Sequence, residues 1–210
     1  MAQIIKFPAQ ASKFGFKRVR KRQAGDHPGQ LNLFPEAGAE ILNLDFGLPF
    51  EQALLLDERG DPRAADLYSR AIEQKDCVAD AYCNLGIIES QRQNTSGAFD
   101  CFTNSLKHNP RHAEAHYNLA NLYFDLNDFR LAQTHYEMAA ELDPSFANVY
   151  FNLALLQAIN NDFNAALKAL GKYQELVSDE EARIAGQLLH DCYHMMRCKK
   201  CNARVHDKMS

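Results

Sequence analysis

The feature that most restricts this chain is a phrase written at constant spacing. Asp80-Ala81-Tyr82-Cys83-Asn84-Leu85-Gly86 returns as Glu114-Ala115-His116-Tyr117-Asn118-Leu119-Ala120 and again as Asn148-Val149-Tyr150-Phe151-Asn152-Leu153-Ala154, each copy 34 residues after the last. The downstream half keeps the same step: Ala64, Ala98, Ala132 and Ala166, then Tyr68, Phe102, Tyr136 and Leu170 four residues on. Ala71, Ser105 and Ala139 add a second small residue, and Pro110 and Pro144 close two of the copies. A period of this length marks a helix–turn–helix unit that stacks on its own copies.

Helix packing explains the alternation. Small residues at Gly86, Ala120 and Ala154 let a neighbouring helix come close, while the aromatic positions fill the space between axes. Proline cannot continue a helix interior, so Pro110 and Pro144 stop each second helix. Asp61-Pro62 reads as the start of an earlier second helix, with Asp as N-cap and Pro in the first turn. Asn127-Asp128-Phe129 and Asn161-Asp162-Phe163 recur between paired helices, where Asn and Asp bond local backbone and tolerate turn conformations.

On these residues the chain resembles a tetratricopeptide-repeat protein, a scaffold of the bacterial type, over roughly residues 47–180. The resemblance implies an all-α, right-handed solenoid of about four helix–turn–helix units with a C-terminal capping helix. The expected organisation is a flexible basic arm over 1–36, then an array over 37–180. Its repeats would fall near 45–78, 79–112, 113–146 and 147–180, followed by a capping helix over 181–197 and a tail over 198–210. The fourth repeat departs from the pattern, with Tyr173 in place of the small residue and Ser178 in place of proline.

In this family the first helices of successive repeats line the inner, concave surface. The expected partner-facing residues are therefore Asp80, Cys83, Asn84 and Ile87 in one repeat. The next offers Glu114, Tyr117, Asn118, Asn121, Phe124 and Asp125, and the last Asn148, Phe151, Asn152 and Leu155. Asn84, Asn118 and Asn152 form a series at unit spacing. A carboxamide both donates and accepts, so each can hold one backbone amide and carbonyl of an extended peptide. The alternative is that Asn beside Leu simply supports the fold. Some relatives clamp a terminal carboxylate with Lys and Arg, but here Cys83, Tyr117, Phe151, Asp80 and Glu114 stand at those positions. The acids favour a basic or neutral segment instead.

Charge divides the chain. Residues 1–25 hold seven Lys or Arg and no acid, which leaves 16 basic residues against 27 acidic ones in the remainder. The cluster Lys17, Arg18, Arg20, Lys21 and Arg22 reads as a solvated tail, or as one that docks onto the acidic body of its own chain. Contact with nucleic-acid phosphates is the competing reading, and a transit peptide is a third. Just downstream, Gln30, Leu31, Leu33 and Phe34 resemble the linear motif by which bacterial replication and repair proteins dock on the DNA sliding clamp. Equally, these apolar residues suit the exposed end of the first repeat.

Candidate chemistry is thin. His190, His194, Cys198 and Cys201 have the residue types and spacing of a zinc site, but a single CxxC pair beside Lys199 and Lys200 suits an exposed end as well. His108, His112 and His116 are four apart, yet Pro110 breaks the helix between them. Cys77, Cys83 and Cys101 read as small packing residues. No phosphate loop, nucleophile elbow or catalytic carboxylate pair is present in the sequence. No apolar run reaches bilayer length, and the N-terminal residues show no apolar core followed by a small-residue cleavage site, so secretion is not the expectation. The expectation is a cytoplasmic, non-enzymatic adaptor without cofactors. Its partner would be another protein or an extended peptide, with nucleic acid or a sliding clamp as the alternative.

Overall fold

The computed structural model describes residues 15–20, 48–183, 185–187 and 190. Lys21, Arg22, Gln30, Leu31, Leu33, Phe34, His194, Cys198 and Cys201 lie outside them. The described body is helical throughout: α1 (Pro49–Glu58), α2 (Ala64–Glu73), α3 (Val78–Gln91), α4 (Thr95–His108), α5 (Ala113–Asp125), α6 (Phe129–Leu142), α7 (Ala147–Ile159) and α8 (Phe163–Leu176). Residues 179–183, 185–187 and 190 are helical as well.

One turn design joins the helices of each pair. Helices α3, α5 and α7 end in a residue with positive φ, at Gln93 (62°), Asn127 (60°) and Asn161 (62°). The next residue then reaches back: the Asn94, Asp128 and Asp162 amides donate to the Glu89, Tyr123 and Gln157 carbonyls at 2.9, 2.9 and 2.8 Å. That is a Schellman closure, which satisfies carbonyls the ending helix leaves unpaired. The same three side chains cap the following helix, accepting from the Gly97, Leu131 and Ala165 amides at 3.1 Å. One residue thus ends one helix and begins the next.

Asp61 behaves differently from the sequence expectation. It closes α1 after Gly60, but α2 starts only at Ala64 and has no side-chain cap. The carboxylate bonds Arg63 instead, at the backbone amide and along the guanidinium. Arg63 holds the Asp61 carboxyl down to about 2, chiefly by these hydrogen bonds. Second helices stop at Asn109 and Asp143, both extended ahead of Pro110 and Pro144, as a residue before proline prefers.

The chain divides into two compact units, Arg18–Pro110 and Arg111–Ser210, the latter taking the arm up to Lys17. Within the first, Phe50, Ala64, Tyr68, Ala71 and Ala81 are buried together. Gly86 on α3 lies against Phe102 on α4 so closely that an added Cβ would sit 2.7 Å from the ring. Within the second, the buried core runs from Tyr117 and Ala120 through Tyr136 and Leu156 to Leu170 and Tyr173. Tyr173, where the repeat pattern calls for a small residue, fills space against Phe151 with ring centroids 5.3 Å apart.

Candidate functional site

Residues 15–20 are extended and carry no regular secondary structure of their own, yet their backbone is bonded to α3 and α5. In the unit Arg18–Pro110, the Val19 amide donates to Asn84 Oδ1 at 2.8 Å, and Asn84 Nδ2 donates to the Val19 carbonyl at 2.9 Å. Asn84 is fully buried and Val19 is 7% exposed. The same Nδ2 also donates to the Tyr68 hydroxyl at 3.2 Å, which donates in turn to Asp57 Oδ2 at 3.3 Å. Burial, and then the nearby Asp57 charge, push the Tyr68 phenol far above its ordinary range, so it stays a donor.

Asp57, at 5% exposure, is the buried acid of this site, and the arm supplies its counter-charge. Arg18 Nη2 donates to Oδ1 at 2.8 Å. Arg18 Nε lies 2.6 Å from Oδ2, in ionic contact but out of line for a hydrogen bond. A carboxylate withdrawn from water is costly unless paired, and the guanidinium fork is suited to pair it. Arg20 is 3.9 Å from Glu58, with both side chains largely in solvent; such a pair adds little.

In the unit Arg111–Ser210 the same device holds Lys17. Its amide donates to Asn118 Oδ1 at 2.8 Å, and Asn118 Nδ2 donates to its carbonyl at 2.9 Å. The Tyr117 hydroxyl donates to the Gly15 carbonyl at 3.0 Å. Lys17 Nζ stands 5.5 Å from the centre of the Phe146 ring, within reach of a cation–π attraction. Phe146 is braced in turn by Tyr117, ring to ring at 4.7 Å.

Asn152, like Asn84, turns its amide nitrogen to tyrosine hydroxyls. Its Nδ2 donates to Tyr117 and Tyr136 hydroxyls at 3.1 and 3.3 Å and to Asn121 Oδ1 at 3.0 Å. Tyr136 also donates to Asn121 Oδ1, at 2.5 Å. Asn121 Nδ2 is buried without an acceptor, a cost of about 1–3 kcal/mol. Asn121 therefore belongs to an internal network, contrary to its expected place on the partner-facing surface, and the Asn152 amide nitrogen feeds that network. Burial pushes the Tyr117 and Tyr136 phenols well above their usual range, so both remain protonated.

Of the other expected residues, Cys83, Ile87, Phe151 and Leu155 are buried. Asp80, Glu114 and Asn148 are half-buried and Asp125 is exposed. Phe124 is edge-on to Phe129, with centroids 5.6 Å apart. Sequence reasoning missed Asp57, Glu58 and Phe146, which the arm's cations approach. Two Tyr–Asn pairs carried a signal: Tyr68 precedes Asn84, and Tyr136 precedes Asn152, by the same 16 residues.

The histidines do not form one cluster. His108 stacks on Tyr82, His112 caps α5 by accepting the Ala115 amide at 3.2 Å, and His116 Nδ1 lies 3.0 Å from His135 Nδ1. Among the described residues no group of three or more His, Cys, Asp or Glu is placed to hold a metal ion. Of the tail candidates only His190 is described. Cys77, Cys83 and Cys101 are in no disulfide. Burial, with Glu89 and Asp100 nearby, pushes Cys101 up to about 11. No described helix is long and apolar enough to cross a membrane.

Paired helices on a fixed period, with an asparagine on each of two first helices gripping extended backbone, define a helical-repeat protein. Residues 83–168 are built of tetratricopeptide repeats: profiles of that repeat match residues 83–128, 113–146 and 135–168. Solved structures share the fold. YrrB, described as a TPR protein with an unusual peptide-binding site, aligns at 21% identity and TM-score 0.59 over 71% of this chain and 76% of its own. The RS-1 MamA ArsTM double mutant aligns at 20% identity and TM-score 0.61, over 77% and 90%. The first TPR of Spaghetti (RPAP3), bound to the HSP90 peptide SRMEEVD, aligns at 20% identity and TM-score 0.52, over 57% and 95%. No curated protein matches the chain by sequence.

Proposed function

We propose that this chain is a non-catalytic interaction scaffold that captures extended backbone of a partner protein through asparagines on the first helices of its repeats. One observation carries the reading: Asn84 and Asn118 each grip a backbone amide and carbonyl, of Val19 and of Lys17, with both halves of the carboxamide used. Such contacts reward extended backbone whatever its side chains, the mode in which main-chain bonds supply affinity and adjoining side chains supply selectivity. Relatives of the same fold that hold peptides, the HSP90-peptide complex among them, lend support by analogy.

The test is capture of partners from the native cell by the full chain, compared with Asn84→Ala/Asn118→Ala. Loss of specific partners at unchanged helicity is expected; an unchanged partner set would overturn the reading. The matched structures lend the sliding-clamp alternative no support, and Gln30, Leu31, Leu33 and Phe34 lie outside the described residues. Of the arm's cations, Arg18 is committed to Asp57 and Arg20 faces Glu58, which leaves less charge for phosphates.

A further inference from the structure

We infer that the arm segment Gly15–Arg20 is a resident competitor at this site. A partner must displace it with a segment of like chemistry: extended, cationic where Arg18 stands and apolar where Val19 stands. This rests on the scaffold reading above and adds to it the identity of the incumbent and the side-chain code.

The backbone bonds fall on the alternate residues Lys17 and Val19, and the side chain of Arg18 between them reaches the C-terminal end of α1. There it meets Asp57, a carboxylate at 5% exposure. The two contacts differ in what they read. Asn84 and Asn118 bond main chain and accept many sequences; Asp57 demands a positive charge, because an unpaired acid at that depth is costly. Val19, at 7% exposure, takes a place a polar residue would fill poorly. Arg20 and Lys17, both largely solvated, are weaker requirements. The code is therefore a cation followed by an apolar residue on backbone free to pair. A proline at either gripped position removes the donor.

Occupancy by a tethered segment lowers the apparent affinity of an incoming one. If the arm is docked nine-tenths of the time, a competing segment binds about tenfold more weakly than to an open site.

The test keeps the whole chain. Lys17→Pro/Val19→Pro removes both amide donors from the arm without touching a helix. The probe is a fluorescein-labelled synthetic peptide with the sequence of residues 13–22, titrated by anisotropy into wild type and variant at matched helicity. The expected result is binding to the variant about tenfold tighter than to wild type, lost when the peptide carries Arg18→Glu. Equal binding to both proteins would overturn the competition while leaving the clamps standing. Binding to neither would remove the scaffold reading itself. Binding of the Arg18→Glu peptide as tightly as the native one would overturn the code. Sedimentation settles the source of the segment. Wild type that is dimeric where the variant is monomeric would show the arm docking on a second copy, overturning the intramolecular form.

Discussion

Gly86 shows how much a single missing methyl can decide. A Cβ there would lie 2.7 and 2.9 Å from two Phe102 ring atoms and 3.1 Å from Cys101 Cβ, and Phe102 is fully buried. Gly86→Ala gains about 1 kcal/mol in helix propensity but forces an overpacking cost of about 1–3 kcal/mol. A net destabilisation of about 1 kcal/mol is expected, seen as a lower thermal midpoint by circular dichroism; a raised midpoint would show that α4 yields freely. His135 gives a pH signature. Burial, and then the neighbouring His116, hold it down to about 4. The unfolded imidazole takes its proton near pH 6.5, so between there and about pH 4 the unfolded chain binds more protons than the folded one. Stability tied to His135 is then complete above about pH 6.5 and is lost as pH falls toward 4. His135→Gln should flatten the decline of the unfolding midpoint across that window, and an unchanged slope would show that other groups set it.

At the scale of the helix pair, the turn residues carry the order. Asp128 closes α5 through its amide and starts α6 through its carboxylate. Asp128→Ala should therefore cost about 1 kcal/mol, read as a lower urea midpoint at unchanged slope; Asp128→Asn, which keeps the accepting oxygen, should restore most of it. Much of this level was legible in the sequence. The small and large positions, Ala64, Ala98, Ala132 and Ala166 with Tyr68, Phe102, Tyr136 and Leu170, are all buried, because the period by itself assigns them to the packed faces. Asp61 was misread because an Asp-Pro pair looks like a helix start, whereas Arg63 captures the carboxylate two residues on. The asparagine series was legible as a set of equivalent positions but not in its partners. Asn118 meets the Lys17 backbone, while the Asn152 amide nitrogen turns to Tyr117, Tyr136 and Asn121. Which partner a carboxamide takes depends on hydroxyls brought up by other helices, and spacing does not display those. Asp57 was hidden for the same reason, as one acid among 27.

At the scale of the molecule, the division between a basic arm and an acidic body becomes a physical contact in Arg18 and Asp57. The two gripped amides report on that contact without any added ligand. Lys17 and Val19 lie outside every helix, so their N–H groups would exchange with solvent at coil rates unless Asn118 and Asn84 hold them. Native-state hydrogen exchange should therefore show both protected in wild type. An arm docked nine-tenths of the time slows exchange about tenfold. Asp57→Asn keeps an acceptor near Arg18 but removes the charge, so protection should fall at Val19 and also at Lys17, whose own clamp is untouched. The reason is covalent: six residues of extended chain lack the contacts to stay docked by one half, since each ordered residue costs about 1–2 kcal/mol of backbone entropy. Protection that survives at Lys17 while it vanishes at Val19 would mean that the two clamps work independently. The arm would then be a pair of separate tethers and not a single strand that comes and goes.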